Sequence, residues 1–186
     1  MIIIGITGTL GAGKGTIVDY LVSKKGFIHY SVRAFLIKEI KKRNLQVNRD
    51  SMTIVANELR AKHSPSFITD QLFIQAKKSG KNCVIESIRT PGEIESLRKK
   101  GNFYLLAVDA DPKIRYERIK LRNSETDRIS FNTFLSNEKR EFTSDDPNKQ
   151  NLLKCREMAD FVFINNGNIE DLLLEMEKVL NKINNE

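Results

Sequence analysis

The amino-acid sequence predicts an α/β domain in which helices cover both faces of a parallel β-sheet. Short apolar segments alternate with longer amphipathic segments along the whole chain, which is typical of strands connected by crossover helices. A glycine-rich loop, Gly8–Thr16, directly follows the first apolar segment, and sheets of this kind bind ligands where their strands end. The chain has 186 residues, the length of one domain. We therefore expect a single three-layer domain over residues 1–186.

Five apolar segments are predicted to be the strands of the sheet. They are rich in isoleucine, valine, leucine and phenylalanine and carry few charges, as the buried strands of a parallel sheet do. The predicted strands are residues 2–7, 27–30, 82–86, 103–108 and 161–164.

Capping residues indicate where the helices begin and end. Thr90-Pro91-Gly92-Glu93 is a capping box with proline just inside the helix, and Gly26 is suited to end the helix that follows the glycine-rich loop. A short amphipathic segment lies around Phe131, Phe134 and Leu135. The other predicted helices begin at or next to Ser31, Asn48, Ser64–Pro65, Asp111–Pro112, Asp146–Pro147 (running to about Met158) and Ile169.

Composition and charge exclude several classes of protein. No segment approaches the ~20 consecutive apolar residues of a membrane-spanning helix, and the first apolar segment lacks the length and basic lead of a signal peptide. Cys83 and Cys155 have no metal-ligand spacing, so we expect reduced thiols in a cytoplasmic protein. The net charge of +7 suits a protein that handles nucleotides. Because the basic residues are spread over many helices, we expect solvated faces and a phosphate-lined cleft, not a nucleic-acid surface.

The loop Gly8–Thr16 has the pattern G-x-x-x-x-G-K-x-T between a strand and a helix, which is the arrangement of a phosphate-binding loop, or P-loop. Its glycines allow consecutive backbone N–H groups to surround phosphate oxygens, and the start of the next helix adds a partial positive charge. Lys14 is expected to reach the β- and γ-phosphates. Because Gly15 has no hydroxyl, Thr16 is expected to hold Mg²⁺. The loop residues predicted to bind ATP are Gly8, Leu10, Gly11, Ala12, Gly13, Lys14, Gly15 and Thr16.

Two charged residues follow the third predicted strand. Glu86 ends the strand, and Arg89 comes three residues later. A carboxylate beside a P-loop can hold Mg²⁺ directly or through water; the alternative is a carboxylate that only satisfies backbone groups at a helix entry. A guanidinium binds a phosphate through two N–H groups. We therefore predict that Glu86 serves the metal and that Arg89 serves the phosphate of an acceptor.

Three arginines follow the fourth predicted strand. Arg115, Arg118 and Arg122 are spaced by three and four residues, which places them on one face of a helix. One interpretation is an exposed basic face. The other is the stem of a mobile lid, whose arginines stabilise the charge of the transferring phosphoryl group. Phosphoryl-transfer chemistry favours the lid, with Arg118 and Arg122 ahead of Arg115.

Several of these segments resemble one group of P-loop kinases. Gly13-Lys14-Gly15-Thr16 is similar to the G-K-G-T of adenylate kinase-like nucleotide kinases. Glu86-Ser87-Ile88-Arg89 resembles their D-G-x-x-R segment, with Glu for Asp, Ser for Gly, and the arginine one residue sooner. Asn165-Asn166-Gly167-Asn168 resembles the I-x-N-x-G loop of dephospho-coenzyme A kinases, which lines the ATP base. In the order of its elements, nearly the full length resembles this group, including its archaeal-type adenylate kinase-like proteins.

The resemblance implies a P-loop kinase fold with a five-stranded sheet of order 2-3-1-4-5, acceptor-binding helices at about 31–80 and a lid at about 115–150. It implies ATP and Mg²⁺ as the donor, with Asn165 and Gly167 at the ATP base. The chain departs from the family after the second strand, where Ala34 and Ile37 stand in place of the usual Asp and Arg. This departure leaves the acceptor open, AMP in particular.

The sequence thus predicts a phosphotransferase that moves the γ-phosphoryl group of ATP to a small acceptor, most simply a nucleoside or deoxynucleoside monophosphate. Its predicted catalytic residues are Lys14, Arg89, Arg118 and Arg122. Dephospho-coenzyme A kinase is the alternative in the same class, but a hydroxyl acceptor needs a general base, and Ala34 stands where that base would be. A nucleotide-dependent switch or an RNA-associated ATPase is the alternative from another class. Both a monomer and a homodimer fit the sequence.

Overall fold

Five parallel strands form one sheet in the computed structural model, which describes residues 1–124 and 128–185. Their order is β2-β3-β1-β4-β5, so that β1 lies at the centre between β3 and β4. The predicted parallel sheet and its strand order are therefore confirmed. The strands are β1 Ile3–Gly8, β2 Ile28–Ser31, β3 Cys83–Glu86, β4 Phe103–Asp109 and β5 Phe161–Ile164.

Helices connect the strands and pack on both faces of the sheet. Three helices lie between β2 and β3 and three more between β4 and β5 in the part of the chain that the structure describes. None of the helices in that part is both long and apolar enough to cross a membrane. They are α1 Lys14–Lys25, α2 Val32–Lys42, α3 Arg49–Lys62, α4 Phe67–Ser79, α5 Pro91–Arg98, α6 Pro112–Arg122, α7 Phe131–Phe142, α8 Leu152–Glu157 and α9 Ile169–Asn184.

The sheet separates two hydrophobic cores, and β1 contributes to both. Ile4 and Ile6 pack with residues of α1 and α9 on one face. Ile3 packs with residues of α2 to α5 on the other, because successive side chains of a strand point to opposite faces. All three are fully buried, which explains why the first strand is an unbroken apolar segment in the sequence.

The predicted capping box is present at the start of α5. Thr90 Oγ1 accepts the N–H of Glu93, and the Glu93 carboxylate accepts the N–H of Thr90. The same carboxylate also accepts the backbone N–H of Arg89 at 2.8 Å. The box therefore fixes the turn that carries Arg89 from β3 to the helix.

The predicted helix from Asp146–Pro147 to about Met158 has the wrong start, since Asp146 and Pro147 form a turn, whereas its end agrees with α8. Asp146 Oδ1 accepts the N–H of Asn148 at 2.9 Å, and the Asp146 carbonyl accepts that of Lys149 at 3.0 Å. Such local bonds from an aspartate stabilise a turn in competition with a helix. Helix α8 begins only at Leu152, after the capping residue Asn151.

The short amphipathic segment predicted around Phe131 is a longer helix of 12 residues, α7. Phe134 is 1% exposed and lies 5.7 Å, between ring centroids, from Tyr116 of α6. Phe131 also contacts Tyr116, at 5.1 Å. This aromatic cluster attaches α7 to α6 and so brings the polar face of α7 to the edge of the sheet.

Candidate functional site

A cavity of about 720 Å³ opens where the strands of the sheet end. P-loop residues 10–16 form one side, α2 and α3 form another, and residues after β3 and from α6 and α7 complete the wall. Among the described residues, seven basic and three acidic side chains line it, and this excess of positive charge attracts anionic ligands. The cavity lies at the edge of the sheet that the topology predicts for a ligand site.

Glycine is required at two positions of the P-loop. Gly8 has a φ of 139°, which side chains of L-residues rarely adopt, and a Cβ atom there would overlap the carbonyl oxygen of Val108 on β4. Gly13 has a φ of 105°, and a Cβ atom would overlap the side-chain amide of Asn165. The loop therefore lies directly against β4 and the segment after β5.

Lys14 lines the cavity with its ammonium group held by the loop itself. Nζ donates to the carbonyl oxygens of Gly8 at 2.9 Å and Thr9 at 2.8 Å. Burial and the positive charge of Arg89 lower the pKa of Lys14 to about 8, while the negative charge of Glu86 opposes the shift. Anionic phosphate oxygens are stronger acceptors than these carbonyls. A phosphate group bound at the loop would therefore compete with the carbonyl oxygens of Gly8 and Thr9 for the ammonium of Lys14.

Thr16 and Glu86 line the same cavity. Ser87 Oγ donates to Glu86 Oε1 at 2.9 Å, and His29 Nε2 lies 3.6 Å from Oε2. Burial favours the neutral carboxyl, but the neighbouring imidazole of His29 and the charge of Lys14 outweigh it and lower the pKa of Glu86 to about 2. Glu86 is therefore ionised at neutral pH. An ionised carboxylate and a hydroxyl are both oxygen ligands of the kind that Mg²⁺ takes, so the two residues fit this ion.

Arg89 binds a carboxylate of the protein. Its Nη1 is hydrogen-bonded to Glu141 of α7 and also donates to Gln150 Oε1 at 2.6 Å. Arg49, at the start of α3, places Nη1 3.9 Å from the other carboxylate oxygen of Glu141. Burial alone would raise the pKa of Glu141, but the charge of Arg89 lowers it. The structure therefore shows an ionised carboxylate held between two guanidinium groups inside the cavity.

The three arginines of α6 do not share one environment. Arg115 is 2% exposed; it donates to the carbonyl oxygen of Ala110 at 2.7 Å and pairs with Glu138 of α7. Arg118 and Arg122 line the cavity, and Arg115 does not. The spacing predicts one common helical face, but Arg115 is packed in the interior, whereas Arg118 and Arg122 lie at the cavity wall.

The loop after β5 packs against the P-loop and is hydrogen-bonded to it. Asn165 is 9% exposed, and its Nδ2 donates to the carbonyl oxygen of Ala12 at 2.8 Å. Arg118 donates to the carbonyl oxygens of Asn165 at 2.9 Å and Gly167 at 3.3 Å. Asn165 lines the cavity and Gly167 lies behind it, outside the lining residues. The structure thus brings this loop, Arg118 and the P-loop together.

The wall opposite the P-loop lies within the predicted acceptor-binding helices at about 31–80, but the sequence does not show which of their side chains face the cavity. Its positions on α2 and α3 have the periodicity of core-facing helical residues, and no motif distinguishes them from a core. One signal was present: Arg60 comes eleven residues after Arg49, about three helical turns, and so places a second charge on an otherwise apolar face. Glu141 and Gln150 lie in a polar segment without a motif. The wall residues of α2 and α3 are Val32, Arg33, Leu36, Arg49, Met52, Thr53, Ala56 and Arg60.

A P-loop after the first of five parallel strands in the order 2-3-1-4-5 defines the P-loop kinase fold. A family model described as an AAA domain matches residues 4–144. A UPF0200 protein of Methanococcus maripaludis (strain C6) is 30% identical over 188 residues, which covers 100% of this chain and 99% of that protein. The chain therefore belongs to the AAA-domain family and to the UPF0200 family.

Solved structures share this fold. TT1252 from Thermus thermophilus has a TM-score of 0.62 at 22% identity, over 97% of each chain. Shikimate kinase from Acinetobacter baumannii in complex with shikimate has a TM-score of 0.56 at 12% identity, over 98% of this chain and 94% of the other. At these identities the likeness concerns the fold alone.

Proposed function

We propose that the protein transfers the γ-phosphoryl group of ATP·Mg²⁺ to the phosphate of a nucleoside or deoxynucleoside monophosphate. One observation carries the proposal: in the cavity that the P-loop lines, the guanidinium of Arg89 binds the carboxylate of Glu141. A guanidinium that holds a carboxylate also fits a phosphate. The cavity thus offers one anion site for the donor and a second for the acceptor, as the resemblance to adenylate kinase-like enzymes implies.

The residues of the cavity have distinct proposed roles. The P-loop N–H groups and Lys14 hold the triphosphate, and Thr16 and Glu86 hold Mg²⁺. When bound, the ion neutralises charge on the transferring phosphoryl group. Arg89 positions the acceptor phosphate for an in-line transfer that needs no protein nucleophile. The protein thereby contributes position and electrostatic stabilisation.

The helices around the cavity supply the remaining proposed parts. Residues 31–80 are proposed to bind the acceptor, and residues 115–150 to form a lid. Of that lid, residues 125–127 lie outside the described residues. Arg118 and Arg122 line the cavity and are proposed to stabilise the charge of the transferred group.

The charge state of Glu86 favours a phosphate acceptor over a hydroxyl acceptor. A hydroxyl group loses a proton during transfer, and the best general base has a pKa near the working pH. Glu86, with a pKa of about 2, is a weak base, and Glu141 is held in ion pairs with Arg89 and Arg49. A phosphate acceptor is already ionised at neutral pH. A dephospho-coenzyme A kinase reaction is therefore less well supported.

The proposal is tested by a screen for acceptor-dependent release of ADP from ATP·Mg²⁺. The acceptors are the nucleoside and deoxynucleoside monophosphates and dephospho-coenzyme A. Stimulation by a monophosphate is the expected result. Stimulation by dephospho-coenzyme A alone would favour the hydroxyl acceptor. ADP release that no acceptor changes, with RNA binding that weakens steeply in salt, would favour an RNA-associated ATPase.

Arg89→Ala should raise the KM for the acceptor on the order of 100-fold, because it removes charged hydrogen bonds to the acceptor phosphate. The KM for ATP should change much less. Arg43→Ala is a matched control: Arg43 pairs with Glu58, does not line the cavity, and should leave both constants unchanged. Equal increases in both KM values for Arg89→Ala would show that Arg89 is structural or belongs to the donor site.

A further inference from the structure

Arg60 of α3 is a buried arginine with one side of its guanidinium unpaired. The residue is 1% exposed, and its Nε and Nη2 donate to Glu93 Oε1 at 3.3 Å and 3.0 Å. Its Nη1 is buried and has no hydrogen-bond partner among the described residues. Burying a donor without a partner is unfavourable, so this nitrogen retains the capacity to bind a further acceptor oxygen.

The unpaired nitrogen belongs to a residue of the cavity wall. Arg60 lines the cavity together with the apolar side chains of Leu36, Met52 and Ala56. The other buried side-chain atom without a partner in the described chain, Asn57 Oδ1, belongs to a residue outside the lining. Arg60 therefore combines a buried unpaired donor with a position in the cavity wall.

Glu93 balances the charge of Arg60 and holds its guanidinium in position. This carboxylate is fully buried; its Oε1 receives the side chain of Arg60, and its Oε2 receives the backbone N–H groups of Arg89 and Thr90. The backbone of Arg89 is bound to Glu93, whereas its guanidinium is hydrogen-bonded to Glu141. Arg60 and Arg89 thus both line the cavity, and Glu93 contacts the side chain of the first and the backbone of the second.

The chemistry of Arg60 selects its partner. Because the charge of Glu93 already balances that of Arg60, a neutral oxygen suits the site better than a second buried anion. A guanidinium only donates hydrogen bonds, so it fits a base edge that presents a carbonyl oxygen. The 6-position of guanine and the 4-position of uracil or thymine carry such an oxygen, whereas adenine carries an amino donor at its 6-position.

We infer that Arg60 Nη1 binds a carbonyl oxygen on the base of the acceptor, which makes the protein specific for monophosphates of oxo bases over adenosine monophosphate. The inference rests on the proposed function and assigns the acceptor class of the same cavity. Arg89 then holds the phosphate, and the apolar side chains of Leu36, Met52 and Ala56 contact the body of the acceptor.

The first arm of the test removes one oxygen from the acceptor and leaves the protein unchanged. Inosine monophosphate is compared with purine riboside monophosphate, which lacks the 6-oxygen, and uridine monophosphate with its analogue that lacks the 4-oxygen. In at least one pair, kcat/KM should fall about 10- to 100-fold when the oxygen is removed, as expected for a lost hydrogen bond to a charged donor. Adenosine monophosphate should be a similarly poor acceptor.

The second arm changes Arg60 and keeps its charge. Arg60→Lys retains a cation for Glu93 but loses the forked group that serves Glu93 and a ligand together. The ratio between the oxygen-containing acceptor and its analogue should approach unity in this variant, while the KM for ATP stays unchanged. Arg43→Lys, in an arginine outside the cavity, should keep the wild-type ratio. Circular dichroism checks that the variant is folded. If Arg60→Lys is unfolded, the inference is tested by the kcat/KM values of the acceptor pairs with the unchanged protein.

The outcomes separate the inference from the proposed function. Equal kcat/KM values within both acceptor pairs, or adenosine monophosphate as the best acceptor, would overturn the role of Arg60 and leave a nucleoside monophosphate kinase standing. The same follows if Arg60→Lys keeps the wild-type ratio. If no monophosphate stimulates ADP release, the proposed function is refuted, and the inference falls with it.

Discussion

Nucleotide binding is expected to weaken as the pH rises through about 8, because Lys14 loses its proton there. Burial and the neighbouring charge of Arg89 lower the pKa of Lys14 to about 8, whereas an ordinary lysine titrates near 10.4. The phosphates of a bound nucleotide favour the charged ammonium and raise its pKa again. Above about pH 8, binding therefore requires the uptake of a proton, and its affinity falls with rising pH.

The size of the effect follows from these two pKa values. At pH 7 about nine-tenths of the free protein carries the proton on Lys14, and at pH 9 only about one-tenth. Between these points the affinity should fall about tenfold, or ~1.4 kcal/mol, when the bound nucleotide restores an ordinary lysine pKa. Phosphate groups have completed their titration by then. The thiols of Cys83 and Cys155 titrate later, since burial raises their pKa values to about 11 and about 12.

Isothermal titration calorimetry with a non-hydrolysable ATP analogue and Mg²⁺ measures this dependence. Buffers of different ionisation enthalpy report the proton uptake directly. Lys14→Arg keeps its charge at every pH of the series and should give a flat profile. In Glu86→Gln the midpoint should move below 8, because the charge of Glu86 raises the pKa of Lys14. A flat wild-type profile, or the same decline in Lys14→Arg, would refute the reasoning.

Two further predictions concern the acceptor site and the P-loop. Glu141→Gln should lower the KM for the acceptor about fivefold, because a neutral amide competes less well than a carboxylate for Arg89, by ~1 kcal/mol; steady-state kinetics measure it, and a raised KM would show that Glu141 helps to hold the acceptor. Gly8→Ala should lower the free energy of unfolding by about 3 kcal/mol or more, since it adds backbone strain and a clash with Val108. Gly15→Ala has open space and should be neutral or stabilise α1 by up to ~1 kcal/mol; equal losses in urea denaturation would contradict this contrast.

The fold could be predicted where local signals and tertiary structure agree. The first strand carries the isoleucines Ile3, Ile4 and Ile6 at buried positions, and the capping box at Thr90 and Glu93 specifies its helix through residues three apart. Asp146–Pro147 is also typical of a helix start, yet the Asp146 carboxylate accepts the N–H of Asn148 and stabilises a turn. Aspartate before proline fits both a helix start and a turn, and the sequence contains nothing that separates the two.

The candidate site likewise has one part that could be predicted from the sequence and one part that could not. The P-loop could be predicted because its glycines, Lys14 and Thr16 are contiguous in the sequence and follow a strand directly. The acceptor side consists of contacts between distant residues: Arg89 and Glu141 are 52 residues apart, and Arg60 and Glu93 are 33 apart. A charged residue on an amphipathic helix is most often solvated, so the sequence favours that interpretation until the fold shows that Arg60 is buried.

The two halves of the cavity are joined by α7, the helix that the sequence predicts as a short amphipathic segment. Glu138 and Glu141 of α7 lie three residues apart and so share a face. Glu138 pairs with Arg115, which also donates to the carbonyl oxygen of Leu10 in the P-loop at 3.3 Å. Glu141 pairs with Arg89 on the acceptor side. Helix α7 therefore carries one ion pair to each half of the cavity, and we expect a displacement that breaks one of these pairs to disturb the other.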